Sequence, residues 1–385
     1  MSYNKYYLYK KQVSNDNGQT WEDVTPLETV PSGDVIATYD TLAECESGST
    51  DYSKQYLTFV AEGGNCTFTF TPNNSNVISF SLNSGSTWTQ GTAVTVSSGN
   101  KVMWKGEMTS SDGYSIGHFS ASSTSFNVEG NIMSLLYGDN FSGQTSLSGK
   151  NQAFAGLFYY CASLFSAENL ILPATTLSSH CYDAMFRNCR SLMIAPQLPA
   201  TTLVDGCYYA MFAGCTSLTT APQLPATTLA LACYYEMFSS CTSLTTAPQL
   251  PATTLENYCY YSMFRDCTSL TAAMTVLPAT ALTEQCYYSM FYGCTRLTTA
   301  PELPAPRLGS QASFMLSSYA YMFKDCTRLN YIKCLLNYES YAENFNVYRW
   351  VEGVAASGTF VKDASMTSWI RGDNGIPTNW TVQNA

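Results

Sequence analysis

The chain has 385 residues, which is long for one compact domain, so two or three structural units are expected. Apolar residues make up 45% and charged residues only 12%, so the chain can bury a large core while Thr, Ser, Asn, Gln and Tyr keep its surface in water. The formal net charge of −10, without a basic cluster, excludes nucleic acid as a partner, because phosphate binding needs Lys and Arg.

The first 50 residues contain few apolar periods, and we interpret 1–50 as an N-terminal attachment or docking segment. The stretch 1–10 lacks the apolar run of a secretory signal, so export by that route is not expected. No run of about 18 apolar residues occurs anywhere, so membrane insertion is not expected either.

Residues 51–130 alternate between apolar and polar side chains in short segments separated by turns. This alternation predicts strands, and turns at about ten-residue spacing favour a β-sandwich-like domain. The predicted strands are 56–60, 67–71, 77–82, 93–96, 101–104 and 125–128.

Residues 157–336 repeat one phrase. Cys181, Cys207, Cys233 and Cys259 follow one another at intervals of 26 residues, and Cys286 follows at 27. Each begins the pattern C-Y-x-x-M-F-x-x-C-x-x-L-x-x-A-P-x-L-P-A-T-T-L. Counting degenerate first and last copies, about seven coils are expected, with a cap before them at 131–156 and another after them at 337–385, because an open end would expose apolar side chains.

Within each coil, apolar residues recur at i, i+4, i+5 and i+8, which is one face of a short helix. Prolines such as Pro222 and Pro225 then limit any strand to a short or edge segment. The residues expected to stack as a buried ladder are Cys181, Phe186, Cys189, Cys207, Phe212, Cys215, Cys233, Phe238, Cys241, Cys259, Phe264, Cys267, Cys286, Phe291, Cys294, Phe323 and Cys326.

Over 155–336 the phrase M-F-x-x-C-x-x-L-x-x-A-P-x-L-P resembles the BspA-like, or Treponema pallidum-type, leucine-rich repeat. It differs from that family in having Met before Phe, Ala-Pro at the strand entry and about three extra residues per period. The resemblance implies a multi-domain, mainly β protein in which a leucine-rich-repeat α/β solenoid follows the β module. It also implies surface adhesins and binding proteins of gut and oral bacteria and of their phages, without implying an enzymatic activity.

Fifteen cysteines, most of them in the repeat rhythm, could form disulfides, bind metal or remain reduced. The odd count argues against a disulfide framework, and paired C-x-x-C units that would hold zinc are missing. We expect buried, reduced thiols, with no metal and no cofactor.

A catalytic site is not expected. The only histidines, His118 and His180, lie in different modules, and no serine has the surroundings of a nucleophile. Carboxylates such as Glu236, Glu256 and Asp266 are scattered as in any chain of this length. The sequence therefore favours a protein that is not an enzyme.

The candidate binding residues are tyrosines that follow the first cysteine of a coil, together with positions that change from coil to coil. One tyrosine of each pair can point inward and the other outward, where a row could meet sugar rings or a protein partner. Simple packing and freedom at exposed positions are the alternatives. The candidates are Tyr209, Tyr235, Tyr261, Tyr288, Arg265 and Tyr292.

These features together favour a phage virion appendage, a tail or head fibre, assembled in the host cytoplasm, where thiols stay reduced. Its solenoid would recognise a host-surface protein or glycan, its N-terminal region would contact other virion proteins, and a homo-oligomer such as a trimer is expected. A bacterial cell-surface adhesin and a purely structural decoration protein are the alternatives.

Overall fold

The computed structural model describes residues 51–73, 75–110, 115–122, 125–306, 317–336, 345–366 and 369–385, and the backbone of four strands before residue 40. The chain divides into two compact units, Met1–Gln55 and Tyr56–Ala385. It is mainly β, with several separate sheets.

The first unit contains two antiparallel strand pairs. β1 (Tyr6–Tyr9) pairs with β4 (Val35–Tyr39), and β2 (Gln12–Val13) pairs with β3 (Glu22–Asp23). A 3-10 helix, Tyr52–Lys54, ends the unit. The rest of the segment predicted for attachment, 1–50, lies outside the described residues.

The second unit begins with two sheets. Their strands are β5 (Leu57–Glu62), β6 (Cys66–Pro72), β7 (Ile78–Ser81), β8 (Thr89–Gln90), β9 (Ala93–Val96), β10 (Lys101–Gly106), β11 (Gly117–Ala121), β12 (Ser125–Asn131) and β13 (Leu164–Ile171). One sheet has six strands in the order β13-β12-β5-β10-β7-β8, and the other has three in the order β11-β6-β9. Neighbouring strands are antiparallel except β12 and β13, which are parallel.

Aromatic side chains fill the space between these two sheets. Phe59 of β5 lies 5.1 Å from Phe68 and 4.7 Å from Phe119, measured between ring centroids, and all three are buried. Such edge-to-face pairs are the arrangement that aromatic rings prefer. The short α1 (Ser134–Tyr137) closes one side, where the Ser134 hydroxyl donates to the Trp104 carbonyl at 2.9 Å.

The six segments predicted as strands all overlap strands of the structure: β5, β6, β7, β9, β10 and β12. The alternation did not indicate β11, in which exposed His118 and Ser120 flank a single buried aromatic residue. It did not indicate β13 either; that strand pairs with β12 and joins the sheet to the repeats. β12 extends past residue 130, which was the predicted end of the β domain.

Main-chain hydrogen bonds join each repeat to the next. The Tyr182 N–H donates to the Cys207 carbonyl at 3.0 Å, and the Tyr208 N–H donates to the Cys233 carbonyl at 3.1 Å. Isolated parallel β-bridges follow the same direction, as from Ile194 to Thr220. Successive repeats therefore lie directly on one another.

The short helix predicted for each repeat is wrong, because stretches such as 181–188 form consecutive turns. The Met185 N–H donates to the Tyr182 carbonyl three residues back, whereas the next N–H, of Phe186, donates to Met211 in the following repeat. Ala184 and Asn188 have φ of 50° and 61°, in the left-handed region that a right-handed helix does not contain. Alternate N–H groups thus bond between repeats rather than along a helix.

Identical side chains stack into columns inside the repeats. Neighbouring phenylalanine rings from Phe158 to Phe323 lie 5.4–5.8 Å apart between centroids, and their planes are within 13° of parallel. A second column contains Tyr182, Tyr208, Tyr234, Tyr260, Tyr287 and Tyr319. Every residue of the expected ladder, from Cys181 to Cys326, is fully buried.

The cysteine that follows each phenylalanine has a specific bonding role. Its thiol donates to the carbonyl of the phenylalanine in the preceding repeat at 2.9–3.2 Å: Cys189 to Phe158, Cys215 to Phe186, Cys241 to Phe212, Cys267 to Phe238, Cys294 to Phe264 and Cys326 to Phe291. All cysteines of the described residues are free and buried. Burial raises the pKa of Cys181 and Cys233 to about 12.

A parallel three-stranded sheet follows the last repeat, formed by β14 (Tyr331–Cys334), β15 (Thr359–Lys362) and β16 (Thr381–Asn384). A 3-10 helix, Phe345–Val347, precedes buried Trp350, whose indole N–H donates to the Gly375 carbonyl at 2.9 Å. Of the C-terminal cap expected over 337–385, residues 337–344 and 367–368 lie outside the described residues.

Candidate binding surface

The second tyrosine of each Tyr-Tyr pair lies on the outside of the repeats. Its carbonyl accepts a hydrogen bond from the preceding repeat: the Ala210 N–H donates to Tyr235 at 2.7 Å, and the Glu236 N–H donates to Tyr261 at 2.8 Å. The first tyrosine, as at Tyr234, is buried. The turn geometry thus sends one ring inward and the next one outward in the four repeats that have such a pair after their first cysteine.

Four of the outward rings form one row. Tyr209, Tyr235, Tyr261 and Tyr288, here named the tyrosine row, have successive centroid separations of 4.5, 4.4 and 4.7 Å and interplanar angles of 6°, 3° and 5°. All four are half-buried. The structure therefore brings together four of the six binding candidates.

The row continues beyond the predicted residues. Tyr321 lies edge-on to Tyr288 with centroids 5.4 Å apart, and Tyr348 lies edge-on to Tyr321 at the same separation. The repeat pattern did not indicate them because Tyr321 comes one position later in its repeat, after Ala320. At the other end, His180 lies 6.4 Å from Tyr209 between ring centroids.

The rings of the tyrosine row cover one another's faces. Parallel rings at these separations leave no space for a further ring between them, so the row presents ring edges and phenol hydroxyls to solvent. Such hydroxyls can donate and accept hydrogen bonds along the length of the repeats. This arrangement suits a partner with closely spaced polar groups better than one that must stack on aromatic faces.

The phenols of the row stay neutral. Burial, followed by the charge of Glu236 among its causes, raises the pKa of Tyr209. Burial also raises the pKa of Tyr288 to about 12. The row therefore offers uncharged hydroxyl donors at physiological pH, with the Glu236 carboxylate close by.

The remaining two candidates, Arg265 and Tyr292, lie together in a different column. The Arg265 guanidinium carbon is 4.6 Å from the centroid of the Tyr292 ring, a cation–π distance. Beside them, Lys324 forms an ion pair with Glu352 at 2.6 Å. Burial raises the pKa of Tyr261 and Tyr288, and the Arg265 charge acts against that rise in both, so this pair lies near the tyrosine row.

The histidines do not meet a nucleophile in the described structure. His118 is exposed on β11, and His180 Nδ1 lies 2.9 Å from Asp183 Oδ2. Within the described ranges, no group of three or more His, Cys, Asp or Glu is arranged to hold a metal ion. Among those same residues, no helix is both long and apolar enough to span a bilayer.

No protein-family model, curated protein or solved structure matches this chain.

Proposed function

We propose that this chain is a phage virion appendage protein that presents a leucine-rich-repeat-type solenoid to the host surface. The stacked repeats would be the coils of that solenoid, with residues 131–156 before them and residues 337–385 after them as its caps. The proposal has no catalytic step. It assigns the protein a binding role, exercised through the tyrosine row and its charged neighbours.

The supporting observation is the contrast between the inside and the outside of the repeats. Inside, the same Phe, Tyr, Met and Cys recur in every repeat and stack in register. Outside, the position two residues before the second cysteine changes from one repeat to the next: it is Arg187, Ala213, Ser239, Arg265, Tyr292 and Lys324 in turn. A constant frame that presents a changing surface is suited to recognition, since the specificity of an interface depends on a few exposed anchors.

A host-surface protein or glycan is the proposed partner, and other virion proteins would contact the N-terminal region. A homo-oligomer would present several rows at once and so increase avidity beyond the affinity of one site. The low content of Lys and Arg fits a partner other than nucleic acid.

Two measurements test this proposal. Mass spectrometry of purified phage particles should detect the chain among their structural proteins. The fluorescently labelled full-length chain should bind intact cells of its host and not cells of unrelated bacteria. Presence in the particle without any cell binding would leave a decoration protein as the better description, and absence from the particle together with export to the bacterial surface would favour an adhesin.

A further inference from the structure

Two departures from the repeat pattern meet at one groove near the start of the repeats. Tyr160 occupies the position held later by Asn188, Gly214, Ser240, Asp266, Gly293 and Asp325, all at positive φ. Phe165 and Met193 occupy the position held later by exposed threonines such as Thr219, and the Met193 N–H donates to the Phe165 carbonyl at 2.9 Å.

Neither Tyr160 nor Phe165 is a residue that stabilises the fold at its position. Tyr160 adopts a φ of 61°, a conformation that favours Gly, Asn and Asp and is costly for a bulky side chain. Its ring is 57% exposed and that of Phe165 is 41% exposed, so neither gains much from burial.

The groove between these rings has the size and lining of a small-molecule site. Its volume is about 650 Å³, and Ser125, Ser163 and Ser191 line it together with Tyr160 and Phe165. Sites for small ligands are concave, of about 300–1,000 Å³, and combine aromatic walls with a few polar groups. None of the described lining residues carries a charge.

The available ring faces distinguish this groove from the tyrosine row. Within the described part of the chain, no other aromatic ring packs against Phe165, and Tyr160 meets Tyr159 only edge-on, with centroids 4.4 Å apart. Tyr159 therefore covers at most one face of Tyr160, and both Tyr160 and Phe165 keep surface exposed to solvent.

We propose that this groove binds a neutral oligosaccharide. The C–H face of a sugar ring would pack against Tyr160 and Phe165, and its hydroxyls would bond to Ser125, Ser163 and Ser191. The absence of charge among the described lining residues favours a neutral sugar over an acidic one, and exposed rings beside serine hydroxyls favour a chain of a few sugars.

The repeats themselves supply the test substitutions. Tyr160→Gly introduces the residue found at Gly214 and Gly293 and relieves the left-handed strain. Phe165→Thr introduces the residue found at Thr219. Leu82→Ala removes a side chain as exposed as Tyr160, 57%, outside both the groove and the tyrosine row, and is the matched control.

The full-length chain is screened on an array of neutral oligosaccharides, and the strongest binder is titrated by calorimetry. We expect at least tenfold weaker binding for Tyr160→Gly and for Phe165→Thr, unchanged binding for Leu82→Ala, and a melting temperature of Tyr160→Gly no lower than that of the wild type. The proposal is overturned if no oligosaccharide on the array binds, or if both groove variants bind as the wild type does.

Sedimentation of the same variants tests the competing occupant. If the groove variants dissociate an oligomer and no sugar binds, the groove is an interface between copies of this chain, and the proposal is wrong. Row variants that lose cell binding but keep the sugar affinity would instead show that the groove is independent of the tyrosine row, as proposed.

Discussion

Residues at positive φ recur every four positions in the repeats, as at His180, Ala184 and Asn188. Left-handed backbone costs an L-residue about 1–2 kcal/mol, and Gly, Asn and Asp adopt it more easily. The repeat stack tolerates this cost because each such residue lies in a turn whose N–H groups bond to the next repeat. Where the side chain is Asn or Asp, the next repeat often has glycine below it, as with Asn188 above Gly214 and Asp266 above Gly293.

The conformation of these positions predicts opposite effects for two small substitutions. Ser240→Gly should raise the free energy of unfolding by up to about 1 kcal/mol, because it relieves a left-handed residue with φ of 60°. Gly214→Ala should lower it by about 1 kcal/mol or more, since the new Cβ would lie 2.3 Å from Asn188 Oδ1. Urea denaturation measures both, and the same sign for the two variants would contradict the assignment.

In the buried tyrosine column, we expect that one residue can be replaced without a loss of stability. The Tyr260 hydroxyl is buried without a hydrogen-bond partner among the described residues, so Tyr260→Phe should leave stability unchanged or raise it by up to about 1 kcal/mol. The matched control is Tyr258→Phe, which removes a 2.6 Å hydrogen bond to Glu284 and should lower stability. A larger loss at Tyr260 than at Tyr258 in thermal denaturation would show that the buried hydroxyl is bonded.

At the scale of elements, the sequence predicted strands well and turns poorly. Alternation identified β6 and β9 because buried residues alternate with more exposed ones along each strand. The helix was predicted wrongly because spacings of four and eight residues fit both a helical face and turns that repeat every four residues. The available signal for left-handed turns was the residue before the second cysteine, which is Asn188, Gly214, Asp266, Gly293 or Asp325 in different repeats. The tyrosine row was expected as outward side chains, but the face-to-face contact of its rings depends on stacking in register, which spacing alone does not give.

The stacked thiols predict how stability depends on pH. Burial raises the pKa of Cys161 and Cys334 to about 12 and that of Cys286 to about 11, whereas thiols of the unfolded chain ionise near 8.5. A folded pKa above the unfolded one gives stability that is complete below about pH 8.5 and is lost as pH rises toward the folded value. Each thiol contributes up to about 1.4 kcal/mol per pH unit in that window.

The melting temperature should therefore be nearly constant from pH 7 to 8 and fall steeply above about pH 9. Tyrosines such as Tyr288, with a pKa raised to about 12, add to the loss in the upper part of the window. Calorimetric scans across this range, under reducing conditions, measure the effect. A melting temperature that does not fall between pH 8 and 11 would contradict the burial of protonated thiols.

At the scale of the whole molecule, one aromatic core runs through the second unit. Phe59 contacts both Phe119 and Phe158, and Phe158 begins the phenylalanine column that reaches Phe323 and Trp350. The β sheets and the repeats thus share a core within Tyr56–Ala385. The sequence predicted separate modules because the residue composition changes where the repeats begin, whereas the packed core continues across that boundary.

This continuity predicts a global effect for one core substitution. Phe238→Ala should cost about 3–5 kcal/mol, because it removes a fully buried ring and leaves a cavity between Phe212 and Phe264. Far-ultraviolet and near-ultraviolet circular dichroism should both show a lower melting temperature in a single transition. A wild-type melting temperature, or loss of the repeats while the β sheets stay folded, would contradict a shared core.

The tyrosine row allows the proposed recognition role to be tested without disturbing the fold. Replacing Tyr235, Tyr261 and Tyr288 together by Phe keeps every stacked ring and removes only three half-exposed hydroxyls. If the row recognises the host surface through those hydroxyls, the triple variant should keep its melting temperature and bind host cells at least tenfold more weakly, with Tyr260→Phe as the buried control. Host-cell affinity equal to that of the wild type in the triple variant would contradict the proposed role of the row.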